Sequence, residues 1–416
     1  MKFYESSLIL VAAAAVVFGL SGISFAFHSG GVAECTGCHQ MHNAKTANYL
    51  IAVDASSTCL TCHGESGQSS YHVATPSAEM PAGTPPNNET PGGDFGWLNK
   101  SYLFTVAGVA TTDFGWTHGH NIIAAGYDNG YLANPDPEYP TAPGDTFPSA
   151  QLSCISCHDQ HGKGRWTTAG TFSKTGGAIW TSGSYGSLPT VVGSENLSTG
   201  VYRLLRAYDT VDGVTFSGPP PVAVAPSSYN RSEFFSQTRV AYGSGMTNFC
   251  STCHPSFHGT TGIFSHPAGV VMSGSIQANY NSYVKTGNMT GTAANSYLSL
   301  VPFEEGLSYT TANINTLKSH AQTDDSILNG PASGTVPATA TVMCLSCHRA
   351  HATGWKTMFR WNKDITALTI AGAYPTGNDN GFGRSSAEVS KAYYDYNVTK
   401  FGTNQSQLCN KCHAQD

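Results

Sequence analysis

The chain has 416 residues, only 11% of them charged, and a formal net charge of −6. No Lys/Arg cluster of the kind that tracks a phosphate backbone is present, which excludes nucleic acid as a partner. With 45 Gly and 21 Pro, long helices and continuous sheets are excluded as well, because both residues interrupt regular structure.

The chain opens with Lys2, an apolar run from Leu8 to Gly19, and the small-x-small sequence Ser24-Phe25-Ala26. This is the pattern of a signal peptide over residues 1–26, cleaved after Ala26. The apolar run is shorter than the ~20 residues needed to cross a bilayer. No later stretch is long and apolar enough to do so. The mature chain, residues 27–416, is therefore expected to be exported as a single domain with no transmembrane segment.

Cysteine carries the strongest signal. All 12 cysteines fall into six C-x-x-C-H motifs with none left over. In chain order they are Cys35/Cys38/His39, Cys59/Cys62/His63, Cys154/Cys157/His158, Cys250/Cys253/His254, Cys344/Cys347/His348 and Cys409/Cys412/His413. Two thiols with two residues between them reach both vinyl groups of one porphyrin, and the adjacent His lies under the iron as proximal ligand. The pattern reads as attachment of six c-type haems. Disulfides would not require a histidine after every pair. Structural zinc would not use this one pentapeptide repeatedly. A thioredoxin-like dithiol would occur once. With His at 16 of 416 residues, six adjacent histidines by chance is roughly one in 10⁸ on composition.

The haems account for the composition. Six apolar plates form the core, and covalent attachment replaces a conventional hydrophobic interior. The expected fold is a multihaem c-type cytochrome, mostly coil with short helices and very little strand, wrapped around a chain of six haems. Short helices carry the motifs, and a further helix is expected over Ser385–Tyr396. First-cysteine intervals of 24, 95, 96, 94 and 65 residues suggest a wrapping unit repeated through the three nearly equal segments.

The sixth ligand of each iron decides between carrier and enzyme. Ten histidines remain: His28, His42, His72, His118, His120, His161, His258, His266, His320 and His351. The supply suffices for bis-histidine ligation throughout, which gives low-potential irons with no open position. The first, third and fifth motifs continue as C-x-x-C-H-x-x-H, bringing in His42, His161 and His351. The plate blocks each of these from its own iron, so a neighbouring haem is its target. His120, His266 and His320 stand in long inter-motif segments as the other distal candidates. His72, His258 and His28 remain contenders, and His118 reads as a surface histidine. No catalytic Ser/His/Asp or paired-carboxylate arrangement stands out.

Segments outside the motifs carry a further likeness. They include FHSGGVAEC at Phe27–Cys35, TPGGDFGW at Thr90–Trp97, TRVAYGSGM at Thr238–Met246, YLSLVPFEEG at Tyr297–Gly306 and LCNKCHA at Leu408–Ala414. Through them the chain resembles the outer-surface hexahaem cytochromes of metal-reducing Geobacter over essentially its whole mature length. The resemblance implies extracellular filaments (nanowires) of self-associated subunits with a continuous haem stack. These would deliver electrons to metal oxides, other extracellular acceptors or other cytochromes. It also implies that His42 ligates the fifth haem, held by His348, of the adjacent subunit. A rule then follows in which each C-H-x-x-H histidine serves the haem two positions back. Two departures from the family pattern are Glu65, where a further His is expected, and the loop between His42 and Cys59. A monomeric secreted or surface carrier and a multihaem reductase are the competing functions.

Overall fold

A computed structural model describes residues 35–64, 72–161, 164–166, 171–174, 178–181, 197–225, 239–257, 267–321 and 336–413. The proposed signal peptide lies outside the described residues, as do His28, His258 and His266.

Most of the chain is turn and irregular backbone, as a composition rich in Gly and Pro requires. Strand is confined, among the described residues, to short segments of two to five residues. The hairpin of β1 (Tyr102–Val106) and β2 (Val109–Asp113) turns through Ala107 and Gly108, both at positive φ. The hairpin of β7 (Asp209–Val211) and β8 (Val214–Phe216) turns likewise through Asp212 and Gly213. Positive φ at both central residues is the turn whose twist matches paired strands. The largest sheet has the order β4-β3-β6-β5, with β3 at Arg165–Trp166, β4 at Phe172–Ser173, β5 at Ala178–Thr181 and β6 at Leu197–Gly200.

Short helices or turns carry every motif. Ala55–His63 holds the second, Cys154–Cys157 the third and Met246–Ser251 the first cysteine of the fourth. The 3-10 turns Cys35–Gly37 and Cys344–Ser346 hold parts of the first and fifth, and Asn410–His413 ends the sixth. Local chemistry starts them. The Asp54 carboxylate accepts from Ser57 N at 2.6 Å, and Ser153 and Ser156 form a capping box ahead of Cys154. Each satisfies donors that a helix start leaves exposed.

Two expectations are corrected. The helix expected over Ser385–Tyr396 runs Ser386–Ala392, not to Tyr396. Tyr394 and Asp395 take left-handed backbone, and Asp395 is pinned there by Ser390 Oγ and Lys391 Nζ, each at 2.7 Å. The three nearly equal intervals do not repeat one unit either. The first contains the β1–β2 hairpin, the second the four-stranded sheet, and the third the helices Gly274–Ser282 and Thr311–His320. Outside the motifs their sequences share no pattern that would dictate a common fold.

Among the described residues the buried apolar side chains gather in four clusters rather than one core. The largest, around Trp97, Trp361, Leu368 and Tyr393, packs against Cys347 and Cys412. Another, around Leu60, Ala74 and Leu132, packs against Cys154. Two of these clusters thus pack directly against motif cysteines.

Candidate haem sites

The 12 cysteines form no disulfide, and among the described residues no three His, Cys, Asp or Glu converge as a metal-binding set. The thiols instead adjoin those of the next motif along the chain. Burial and then the neighbouring charge of Cys62 raise the Cys38 pKa, a hydrogen bond links Cys59 and Cys154, and burial and then Cys253 raise that of Cys157. Cys250 shares one with Cys344, and Cys347 adjoins Cys409 and Cys412. The motifs thus follow one another in space in their sequence order. Backbone packing supports this: Cys154 N donates to Ser56 Oγ at 3.1 Å, joining the second motif's helix to the third's.

Histidine geometry is the test of whether haem fits. An imidazole nitrogen sits about 2 Å from a bound metal, so two rings facing each other across one iron have centroids about 6 Å apart. Three pairs meet that spacing. His39 and His161 are 6.3 Å apart and nearly parallel at 10°. His158 and His351 are 6.4 Å apart at 59°. His120 and His254 are 6.1 Å apart at 28°. Each pair joins one motif histidine to one spare.

Several of the opposite ring nitrogens are ordered as well. Nδ1–H donates to a backbone carbonyl from His39 (Asn48 O, 2.9 Å), His158 (Arg203 O, 2.7 Å), His254 (Pro143 O, 3.0 Å), His348 (Thr357 O, 2.7 Å) and His120 (Ala350 O, 2.7 Å). Such a bond fixes the tautomer and leaves Nε2 as the lone-pair donor, the second-shell pattern of metal-ligating histidine. Burial, followed by the neighbouring His158, lowers the His351 pKa to about 3. Burial, followed by His254, lowers that of His120 to about 4. Both rings are therefore neutral at physiological pH, as ligation requires.

Buried donors point the same way. Among the described residues, Arg239 Nε and Nη1, Arg384 Nε, Trp355 Nε1 and Trp361 Nε1 have no hydrogen-bond partner. Buried polar groups are costly unless satisfied, and the carboxylates of a bound porphyrin would be acceptors of the kind these donors lack.

The remaining candidates sort by contact. His118 is fully buried and spends both nitrogens inside the protein. Nδ1 meets Trp97 O at 3.2 Å, and Nε2 faces Asp113 Oδ1 at 3.1 Å and Arg384 Nη2 at 3.3 Å. It is a structural histidine of the interior rather than the surface residue expected. His120→Ala should therefore convert one haem to high spin, whereas His118→Gln should leave all six low-spin. Electron paramagnetic resonance of the two purified variants distinguishes them. His320 is buried with Nδ1 against Glu305 Oε2 at 2.7 Å. His72 comes alongside the second motif, because Val73 N donates to His63 O at 2.9 Å. His42 is exposed and, among the described residues, makes no ring or hydrogen-bond contact. Glu305 and Arg239 escaped sequence reasoning. Both fall in segments that carry the family likeness, TRVAYGSGM and YLSLVPFEEG, and nothing local ties either residue to a distant histidine.

A family model of the doubled CXXCH motif matches residues 28–68. The chain is 45% identical to C-type cytochrome OmcS of Geobacter sulfurreducens, over 98% of this chain and 98% of that protein. Two cryo-EM or filament structures are similar, one of the OmcS nanowires and one of the Outer Membrane Cytochrome S filament, both from Geobacter sulfurreducens. Each matches with a TM-score of 0.82 at 43% identity, over 94% of this chain and 100% of the other.

Proposed function

We propose, from the premise that this chain belongs to the OmcS family of multihaem c-type cytochromes, that it is the subunit of an extracellular filament conducting electrons over long range. Each haem, when bound, supplies a one-electron iron couple. The polypeptide holds the couples in order and closes both faces of each iron.

The observation that carries this reading is the set of three histidine pairs at 6.1–6.4 Å. In the ligand set we propose, His39 and His161 hold the first haem, His158 and His351 the third, and His254 and His120 the fourth. His348 holds the fifth with His42 of an adjacent subunit. His63 and His413 are proximal ligands of the second and sixth, whose distal partners come from His72, His266 and His320. Ligands taken from different segments tie the motifs together, so the haems staple the irregular chain. Fully ligated irons leave no substrate position, which favours a carrier over a reductase. Residues 1–26 direct export, and residues 27–416 form the one haem domain. The partners are further copies of the chain, extracellular acceptors and other cytochromes. Among the described residues no helix is long and apolar enough to cross a membrane.

The test is electron cryo-microscopy of the haem-rich material sheared from producing cells, with electron paramagnetic resonance on the same sample. Filaments with a continuous haem stack and only low-spin iron are expected. Discrete particles would leave a monomeric carrier, and a high-spin iron in the intact assembly would restore the reductase.

A further inference from the structure

His39, His158, His254, His348 and His120 hold Nδ1–H against neutral backbone carbonyls. His320 differs. Its Nδ1 lies 2.7 Å from a carboxylate oxygen of Glu305, and the two side chains are only 8% and 2% exposed. Glu305 is fixed from several sides. Its backbone N–H donates to Tyr242 O at 2.9 Å, and its backbone carbonyl accepts from Thr339 Oγ1 at 2.7 Å. Its other carboxylate oxygen meets Arg239 Nη2 at 3.3 Å. Arg239 is itself buried, with its guanidinium 4.2 Å from the centre of the Tyr297 ring.

A ligating imidazole that gives its Nδ1–H to a carboxylate gains imidazolate character and becomes a stronger donor to the metal. Stronger axial donation and nearby negative charge both favour the ferric state, two of the levers by which a protein sets a haem potential. A carbonyl acceptor does this weakly. A buried carboxylate does it strongly, because low dielectric leaves its charge unscreened. The Arg239 contact is long and meets the oxygen that His320 does not use, so it offsets the charge without removing the hydrogen bond.

We propose that Glu305 is a positioning residue that lowers, through His320, the potential of one haem relative to the others, with Arg239 limiting the drop. The proposal rests on the reading of His320 as an axial ligand. A low-potential member in a chain of six makes an uphill step that electrons cross thermally. That step sets the pace of transfer through the subunit in one identifiable place.

Glu305→Gln is the direct test. It keeps the shape and an oxygen acceptor for Nδ1–H while removing the charge. Spectroelectrochemistry of the six-haem protein should show one component moving to higher potential and five unmoved. The low-temperature electron paramagnetic resonance signal of that one haem should move with it. A variant with six low-spin haems and unchanged potentials overturns the proposal. His320→Ala tests the underlying ligand assignment separately: one haem should become high-spin, and six low-spin haems there would show that His320 ligates nothing. The unmodified protein gives a measurement independent of any variant's folding. One of its near-infrared charge-transfer bands in magnetic circular dichroism should stand apart at higher energy, and coincident bands would overturn the proposal.

Discussion

Replacing His42 with Ala should yield a subunit that folds, carries six haems and does not polymerise. Two other histidines occupy the same place in their motifs, and both are matched across the 6 Å gap. His161 faces His39 at 6.3 Å and His351 faces His158 at 6.4 Å. Each thus meets the proximal ligand two motifs back along the chain. Two motifs back from His42 there is no motif in the same subunit, so the rule requires another copy. The surroundings suit a junction. Met41, Tyr49 and Val53, on the same stretch of chain as His42, are 83%, 57% and 53% exposed, and apolar side chains of this kind would be covered at a junction between copies. Loss of the iron–imidazole bond acts at every junction of a filament, and each 1.4 kcal/mol lost weakens a junction about tenfold. Electron microscopy should find no filaments, gel filtration should find single subunits, and one haem per subunit should turn high-spin. Filaments of normal length with six low-spin haems would show that the apolar contacts suffice and that the fifth iron draws its ligand from within the chain.

What could be read from the sequence follows from where each constraint is local. The six motifs were legible because thioether chemistry demands fixed spacing within five residues. The alternation of C-H-x-x-H motifs was legible for the same reason, and the pairing of His161 and His351 agrees with it. The interior place of His118 was not, although the sequence alone sets His120 apart from it as a distal candidate. The two are separated by one glycine, and only long-range packing shows that His118 is buried. Asp113 and Arg384 close on His118, with Arg384 Nη2 at 2.7 Å from Asp113 Oδ2, while His120 is carried past them toward His254. The order of the motifs in space was also hidden. It emerges from contacts such as Ser56 with Cys154 that join residues nearly a hundred positions apart. Equal intervals misled because length alone does not dictate a fold. The segments between motifs share spacing but not the hydrophobic pattern that would build the same elements.

Gly93→Ala should disable two haem sites at once although the residue belongs to no C-x-x-C-H motif. Gly93 has φ of +95°, and a Cβ there would stand 1.8 Å from Ala352 O. The segment that would be pushed is the one that sets two proposed distal ligands. His351 N donates to Gly92 O at 2.7 Å, His120 N donates to His351 O at 2.9 Å, and Thr353 N donates to His118 O at 3.0 Å. Residues 351–353 are thus held between two backbone segments, with Phe95 stacked on the His351 ring at 4.7 Å. On the opposite side Gly119 is as tightly placed, since its Cβ would lie 2.4 Å from His351 O. The segment cannot yield to a methyl group on one side without striking the other. Left-handed backbone at a residue with a Cβ costs about 1–3 kcal/mol, and overpacking of this kind adds a similar amount. The expected result is a lower unfolding temperature and two of the six haems, the third and fourth, converted to high spin together. Calorimetry and electron paramagnetic resonance on one sample would read both. Conversion of only the third would mean that His120 is positioned by its own Nδ1 bond to Ala350 rather than by the shared backbone. Six low-spin haems would mean that the iron bonds themselves, not this packing, hold the two histidines in place.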